Sequence, residues 1–452
     1  GDPGALPEWL GRLKWEGDMR LRFQSDLLAK GNSPSSDYVL ANQFSPTTRA
    51  PDLGSSRGNA NLSNTQEDRK RLRLRARLGI LAKIGDDFSG GVRMTTGNTT
   101  DRVSTNQTLG QNFNKYSLVL DRAFLKYEPN DWLSVTGGRI PNPWFGTDLV
   151  WDEDLNFEGL AVTVGRRSGK DSFAPFVTLG VFPIREDNPP ARSNRWLDGA
   201  QTGFRWDINP RTRFKLAAAY YGYRNIEGRP EPSSSFVCSP FPDCTQQSAT
   251  YGQYEYESGL RQKGNTLFAT TAPTDPTAAR APLWGLASRF REVNLTASLD
   301  LAHWDPVHAV LIGDYVRNIG YKKDEILSRS GLLAADIPDG KNTAYMLKLQ
   351  IGWPEVKKPR EWNGFIAYRY LGSDAVLDAF TDSDFGLGGT NLKGYQIGLK
   401  YGLDRNVDLG LRWMSADSID STIPSSPSLG GLSGSKTKFS VDLLQVDVSA
   451  RF

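Results

Sequence analysis

No stretch of this 452-residue chain comes near the ~18 consecutive apolar residues that a membrane-crossing helix needs. The longest charge-free apolar stretch runs from about Phe173 to Ile184, and glycine and proline interrupt it. A helical membrane protein is therefore excluded. Histidine is nearly absent: only His303 and His308 occur, both beside a predicted turn. Spacing suggests no serine or aspartate partner for either, so hydrolytic chemistry that leans on histidine finds no site and no enzyme is expected. Cysteine is confined to Cys238 and Cys244 in a Pro-rich segment. With no histidine or third cysteine nearby, they lack the ligands of a zinc site. They suit a disulfide that staples a loop in an oxidising compartment, with free thiols as the alternative. A dominant charge is also missing: the net +3 is too near zero to argue for a nucleic acid partner. The chain opens Gly-Asp-Pro-Gly-Ala with no Met and no apolar leader, which suits a mature exported chain, although a trimmed one would look the same.

What is present is alternation. Arg69, Arg71, Arg73, Arg75 and Arg77 are interleaved with Leu72, Leu74, Ala76 and Leu78. A period of two is the strand period, so one face is a guanidinium ladder and the other is apolar. Hydrophobic residues make up only 38% and mean hydropathy is −0.47. A β-barrel can cross a bilayer with so little, because only alternate residues need be apolar. Alternating segments recur near 17–26, 69–83, 87–97, 117–128, 132–140, 157–166, 172–183, 197–208, 212–223, 290–302, 307–318, 343–353, 361–371, 392–402, 405–415 and 439–452. Each is long enough to cross a hydrocarbon core when tilted, which takes ~9–11 residues. Short turns such as Gly85-Asp86 and Asn209-Pro210-Arg211 alternate with long connections rich in Ser, Asn, Asp, Gly and Pro. That alternation predicts a closed all-β transmembrane antiparallel barrel of about sixteen strands, with tight turns at one end and long loops at the other. A soluble lectin or propeller gives no reason for it, and no blade-length repeat is present. Residues 1–15 are expected to precede the barrel and 16–452 to form it.

Aromatics gather beside the short turns, at Tyr127, Trp132, Trp206, Phe214, Trp304, Trp353, Trp362 and Tyr401, as rings do at a bilayer interface. The chain ends Leu444-Gln-Val446-Asp-Val448-Ser-Ala450-Arg-Phe452, an alternation counted back from a terminal Phe. This is similar to the C-terminal signature that Gram-negative barrels present to their assembly machinery. The segments Gly17-Asp18-Met19-Arg20-Leu21-Arg22, the arginine ladder, Leu120-Asp-Arg122-Ala-Phe124-Leu-Lys126-Tyr127 and Gly138-Arg-Ile-Pro-Asn-Pro-Trp-Phe145 resemble the outer-membrane porins grouped as putative porins. The resemblance implies a passive diffusion channel in the outer membrane of a Gram-negative bacterium. The implied partners are small hydrophilic solutes, lipid and lipopolysaccharide, the barrel-assembly machinery acting on Phe452, and two further copies in a trimer. A substrate-specific or plugged surface barrel (adhesin, receptor or polysaccharide exporter) is the alternative.

If Met19, Leu21 and Phe23 face lipid, then Arg20 and Arg22 face the lumen. Arg71, Arg73, Arg75 and Arg77 face it from the next strand, ~4.8 Å away. Arginine cannot shed its proton here, so such a wall stays charged in a wet lumen. General porins fold their third loop inward. By strand count that loop is 141–156, and it carries Asp148, Asp152, Glu153 and Asp154. The expectation is a constriction with arginines on the wall and carboxylates on the loop, its transverse field orienting dipolar solutes. No cofactor is expected, apart from Ca²⁺ as an option at the acid pairs Asp152–Asp154 and Asp382–Asp384.

Overall fold

The computed structural model describes residues 8–33, 64–167, 169, 171–191, 193–237, 246–247, 250–257, 259–272, 283–331, 334, 337, 341–420 and 438–452. A short 3₁₀ turn, Glu8–Arg12, leads into β1 (Leu13–Leu28), which starts inside the segment expected to precede the barrel. There follow β2 (Arg69–Lys83), β3 (Phe88–Thr96), β4 (Leu118–Tyr127), β5 (Leu133–Ile140), β6 (Phe157–Gly165), β7 (Phe173–Arg185) and β8 (Arg195–Asn209). The second half comprises β9 (Thr212–Arg224), β10 (Arg291–Trp304), β11 (Val307–Asn318), β12 (Thr343–Gly352), β13 (Trp362–Leu371), β14 (Leu392–Asp404), β15 (Val407–Ser418) and β16 (Ser440–Arg451). Each strand pairs antiparallel with the next, and β16 pairs with β1 from Asp18↔Arg451 to Leu28↔Val441. The sixteen strands thus close into a barrel with no free edge, which satisfies the backbone within the wall.

The side-chain period sets the two faces. On β1, Leu21 is 47% exposed and Arg22 only 3%. Met19, Phe23 and Leu27 share the outward face, and Gln24 and Asp26 the inward one. Outward apolar residues continue around the wall, among them Leu120, Leu179, Leu295, Leu347 and Leu399. Trp132, Trp206, Trp304, Trp362 and Tyr401 ring the short-turn end on that face. A second girdle at the long-loop end, not read from the sequence, contains Tyr220, Tyr315, Tyr345 and Tyr395. Tyr345 stacks on Tyr370 there at 5.3 Å.

Turns at one end are tight. The link between β14 and β15 is Arg405-Asn406, with Asn406 at φ 60°, a left-handed conformation that asparagine tolerates. The length contrast disappears at one place: 186–194 at the long-loop end and 353–361 at the short-turn end each span nine residues. Above the end of β3, the two-residue strand Gln107–Thr108 of the second long loop pairs with Arg73 and Leu74 of β2.

The long loops do not simply overlie the barrel. Residues 141–156 lie inside the wall. Trp144 packs edge-on against Tyr221 at 5.2 Å and Phe182 at 6.2 Å, and Trp151 against Tyr221 at 4.9 Å and Phe157 at 5.0 Å. A Cβ on Gly199 would stand 2.5 Å from the Trp144 ring, so the wall needs glycine there to seat it. The seventh long loop, 372–391, enters as well: Asp152 N donates to Phe380 O at 2.8 Å, and Asp382 N to Asp148 O at 3.1 Å. The fifth long loop, 225–290, reaches it in turn, with Asn265 Nδ2 donating to Ser373 O and Val376 O, and Thr266 Oγ1 to Asp374. Near the long-loop end, inward residues of the wall such as Phe182, Leu197 and Tyr221 are apolar because they meet these loops and not water.

Candidate functional site

β1 and β2 pair with Arg20 opposite Arg75, Arg22 opposite Arg73 and Gln24 opposite Arg71. Like charges directly opposite each other destabilise a sheet unless acids intervene, and here most have one. Arg22 grips Asp447 of β16 with two bonds of 2.7 and 2.8 Å and reaches Asp384 of the seventh loop at 3.2 Å. Arg71 bonds Asp26 at 2.8 Å. Arg75 and Arg77 share Asp18 at 3.0 and 2.7 Å, and Arg77 approaches Asp154 of the third loop at 3.6 Å. The remaining two differ. Arg20 donates to Asn106 at 2.6 Å and Arg73 to Gln24 at 3.2 Å, and neither has an ion-pair partner among the described residues.

Opposite this wall the loop acids divide. Asp148 and Asp382 share the fully buried Arg369 of β13, at 2.5 and 3.1 Å. Burial pushes both carboxyls up, and one guanidinium cannot offset two of them. The pair splits, with Asp148 below its usual range and Asp382 pushed up to about 7 by burial and the Asp148 charge. Asp384 lies between Arg22 and Arg412. These two charges overcome burial and hold its carboxyl far below the ordinary range. Asp152 accepts backbone N–H groups from Asp154 and Ser383 at 2.8 Å each. Burial, with Asp154 and Asp382 nearby, raises its pKa well above normal. Glu153 is exposed and makes no ion pair among the described residues.

Between wall and loops is a cavity of 490 Å³ bounded by Arg20, Arg22, Arg75, Glu153, Lys348 and Arg412, among others. A larger one, 870 Å³, lies toward the short-turn end beside Arg12, Lys14, Arg93 and Arg122. Basic side chains thus border both voids, and the acids nearest the first are mostly taken by arginine. Such an arrangement can hold water and hydrated ions and bias them by charge.

Sequence reasoning missed Asp18, Asp26, Asp447, Arg369, Arg412 and Lys348. Asp18 and Asp26 have the same parity as Arg20 and Arg22, so reading the inward face of β1 to its ends would have found them. The inward seventh loop had a signal too: Ala375-Val-Leu-Asp-Ala-Phe380 is an apolar run that a solvated loop has no use for. Asp382 and Asp384, weighed as calcium ligands, are turned to guanidinium groups instead. Among the described residues no cluster of three His, Cys, Asp or Glu is placed to hold a metal ion. His308 Nδ1 sits 2.7 Å from Asp300 and its Nε2 faces a second carboxylate, Asp305, at 3.5 Å, so no nucleophile meets the imidazole. Phe452 exchanges backbone hydrogen bonds of 3.0 Å with Gly17 and lays its ring over that glycine. Cys238 and Cys244 lie outside the described residues.

A closed sixteen-strand barrel with an apolar outer belt, aromatic rims and a charged interior defines the class: a transmembrane β-barrel of the outer-membrane type. The model of a family described as "Putative porin" matches residues 1–452, and the chain belongs to that family. No curated protein sequence matches it. Among solved structures it is similar to the outer membrane channel DcaP of Acinetobacter baumannii, with 12% identity, 97% of each chain covered and a TM-score of 0.44. It is also similar to an anion-selective porin from Comamonas acidovorans (10% identity, 97% of this chain and 99% of that one, TM-score 0.44). A third is OmpF of Salmonella typhi in complex with daunomycin (11% identity, 97% of each chain, TM-score 0.42).

Proposed function

We propose that the chain forms a water-filled channel through which small hydrophilic solutes and ions diffuse across the outer membrane, with a weak preference for anions. The ladder Arg20, Arg22, Arg71, Arg73, Arg75 and Arg77 forms one wall of its constriction. Asp148, Asp152, Glu153 and Asp154 of the third loop stand opposite, joined by Asp382 and Asp384 of the seventh. The observation that carries this reading is that Arg20 and Arg73, on the inward face, have no ion-pair partner among the described residues. Such charge raises local anion concentration, and salt screens it over a Debye length of ~10 Å at 0.1 M. Both termini and the short turns face the periplasm. Outer-membrane lipid and lipopolysaccharide surround the barrel, two further copies complete a trimer, and the assembly machinery reads Phe452. In planar bilayers under a KCl gradient, the reversal potential is expected to show anion preference, strongest at low salt. The double variant Arg20→Ala/Arg73→Ala should move it toward cations and raise conductance. If both quantities stay where they were, the ladder lies off the conducting path.

A second reading is favoured by one feature: the apolar core that four loops build inside the long-loop half of the barrel. It describes a barrel closed by its own loops that works as a surface receptor, adhesin or specific exporter. An insulating protein in the same bilayers would decide for it.

A further inference from the structure

At the long-loop end a third cavity, of 280 Å³, opens among the second, third, fifth and seventh loops and the ends of β5 to β8. Its body is apolar: Trp151, Phe157, Phe182 and Phe380 line it, with Leu155 and Leu260. Its charged groups are four arginines, Arg102, Arg139, Arg185 and Arg195, against two glutamates, Glu158 and Glu257, with Asn156 beside them. Both glutamates are already held. Glu158 pairs with Arg139 at 2.7 Å, and Glu257 with Arg185 at 2.7 Å. Arg195 is different. It is 1% exposed, and among the described residues only its Nη2 finds an acceptor, Glu255 O at 2.5 Å. Among the described residues its Nε and Nη1 find no hydrogen-bond partner, and the Glu257 carboxylate is 3.9 Å from Nη1. A buried guanidinium with two idle donors is costly, and an anion that reaches it removes that cost.

We propose that this cavity is a capture site for a small carboxylate with an apolar, preferably aromatic, body. The carboxylate accepts from Arg195, and the ring lies among Trp151, Phe157, Phe182 and Phe380. Volume supports a single-ring solute, since 280 Å³ falls at the lower edge of the ~300–1,000 Å³ of small-molecule sites. Charge supports an acid over an alcohol, because the lining is two positive, and still one positive once Asp187, bonded to Arg185, is counted. The aromatic walls support a ring over acetate, which would leave them wet. The site deepens the channel reading, on which only the onward passage of the solute rests.

The test uses the full chain in detergent, titrated with sodium benzoate, benzyl alcohol and sodium acetate, binding being read by calorimetry and by tryptophan fluorescence. Benzoate is expected to bind saturably and at least tenfold more tightly than either competitor. Arg195→Gln is expected to weaken benzoate at least tenfold and to leave benzyl alcohol as it was. Equal affinities for benzoate and benzyl alcohol, or for benzoate and acetate, would overturn the assignment. So would the absence of saturable benzoate binding, or a variant that binds benzoate as the parent does. If the variant fails to fold, judged by loss of its heat-modifiable gel band, the comparison of three ligands on the parent protein still decides. Conductance of the same preparation keeps the two readings apart. A conducting barrel that ignores benzoate sinks the capture site alone, and an insulating barrel that binds it sinks the channel alone.

Discussion

Asp384 takes charge-assisted bonds from Arg22 of β1 and Arg412 of β15, the two neighbours of the last strand β16. Replacing it with asparagine removes the charge between them and leaves Arg22 on Asp447 and Arg412 on Gln445. Breaking a fully buried pair costs about 3–5 kcal/mol, and this partly exposed one, with its arginines still bonded elsewhere, costs less. Asp384→Asn should therefore lower the temperature at which the folded gel band disappears, and should strengthen anion preference at the same time. Glu153, exposed and without an ion-pair partner, offers the contrasting case. Glu153→Gln should alter stability by no more than about 0.5 kcal/mol, the usual range for surface changes, while shifting reversal potential modestly toward anions. A loss of folded protein in Glu153→Gln would show that the side chain has a structural partner. The pair Asp148 and Asp382 adds a pH effect. With the Asp382 carboxyl pushed up to about 7, it is neutral below that pH and charged above it. Anion preference should therefore fall between pH 6 and 8, and Asp382→Asn should abolish the fall. A titration that survives in Asp382→Asn belongs to another group.

The third loop is held as an element by Trp144, whose ring occupies the space over Gly180 and Gly199. Gly199→Val would place methyl groups where the indole sits, so the loop must lift. The expected outcome is a larger and noisier single-channel conductance, together with new protease cleavage within 141–156. An unchanged trace would mean that the loop is anchored elsewhere, for example through Asp152 and Phe380. The strands themselves were legible. The segments 69–83 and 307–318 agree with β2 and β11 to the residue, because alternation over a dozen positions has one reading and the turns punctuate it. The arginine parity was legible for the same reason. The entry of the fifth and seventh loops into the lumen was not. Nothing periodic in 259–272 says which way that loop turns, the apolar residues of 375–380 do not say what they meet, and the partners are distant in sequence, as with Asn265 and Ser373. The inward apolar residues Phe182 and Tyr221 resemble lipid-facing ones until the loop that covers them is known.

At the scale of the whole molecule, the outer belt and its two girdles fix the barrel in a bilayer. Association as a trimer predicts a detergent-corrected mass three times the 50.0 kDa of one chain, by light scattering. A corrected mass near that of one chain would exclude it. The seam between first and last strands has a consequence for the order of assembly. The opening hairpin places Arg20 against Arg75 and Arg22 against Arg73; its own Asp18 and Asp26 hold Arg75, Arg77 and Arg71, but none of its acids bonds Arg22 or Arg20, which repel their neighbours. Asp447, which relieves this repulsion, arrives only with the last strand, and Asp384 only shortly before. The first hairpin made at one end of the chain is thus among the last to become stable, and an unfinished barrel advertises itself by an unquenched positive edge. Refolding into liposomes should accordingly be slower for Asp447→Asn than for the parent, with the delay shrinking in high salt as the repulsion is screened.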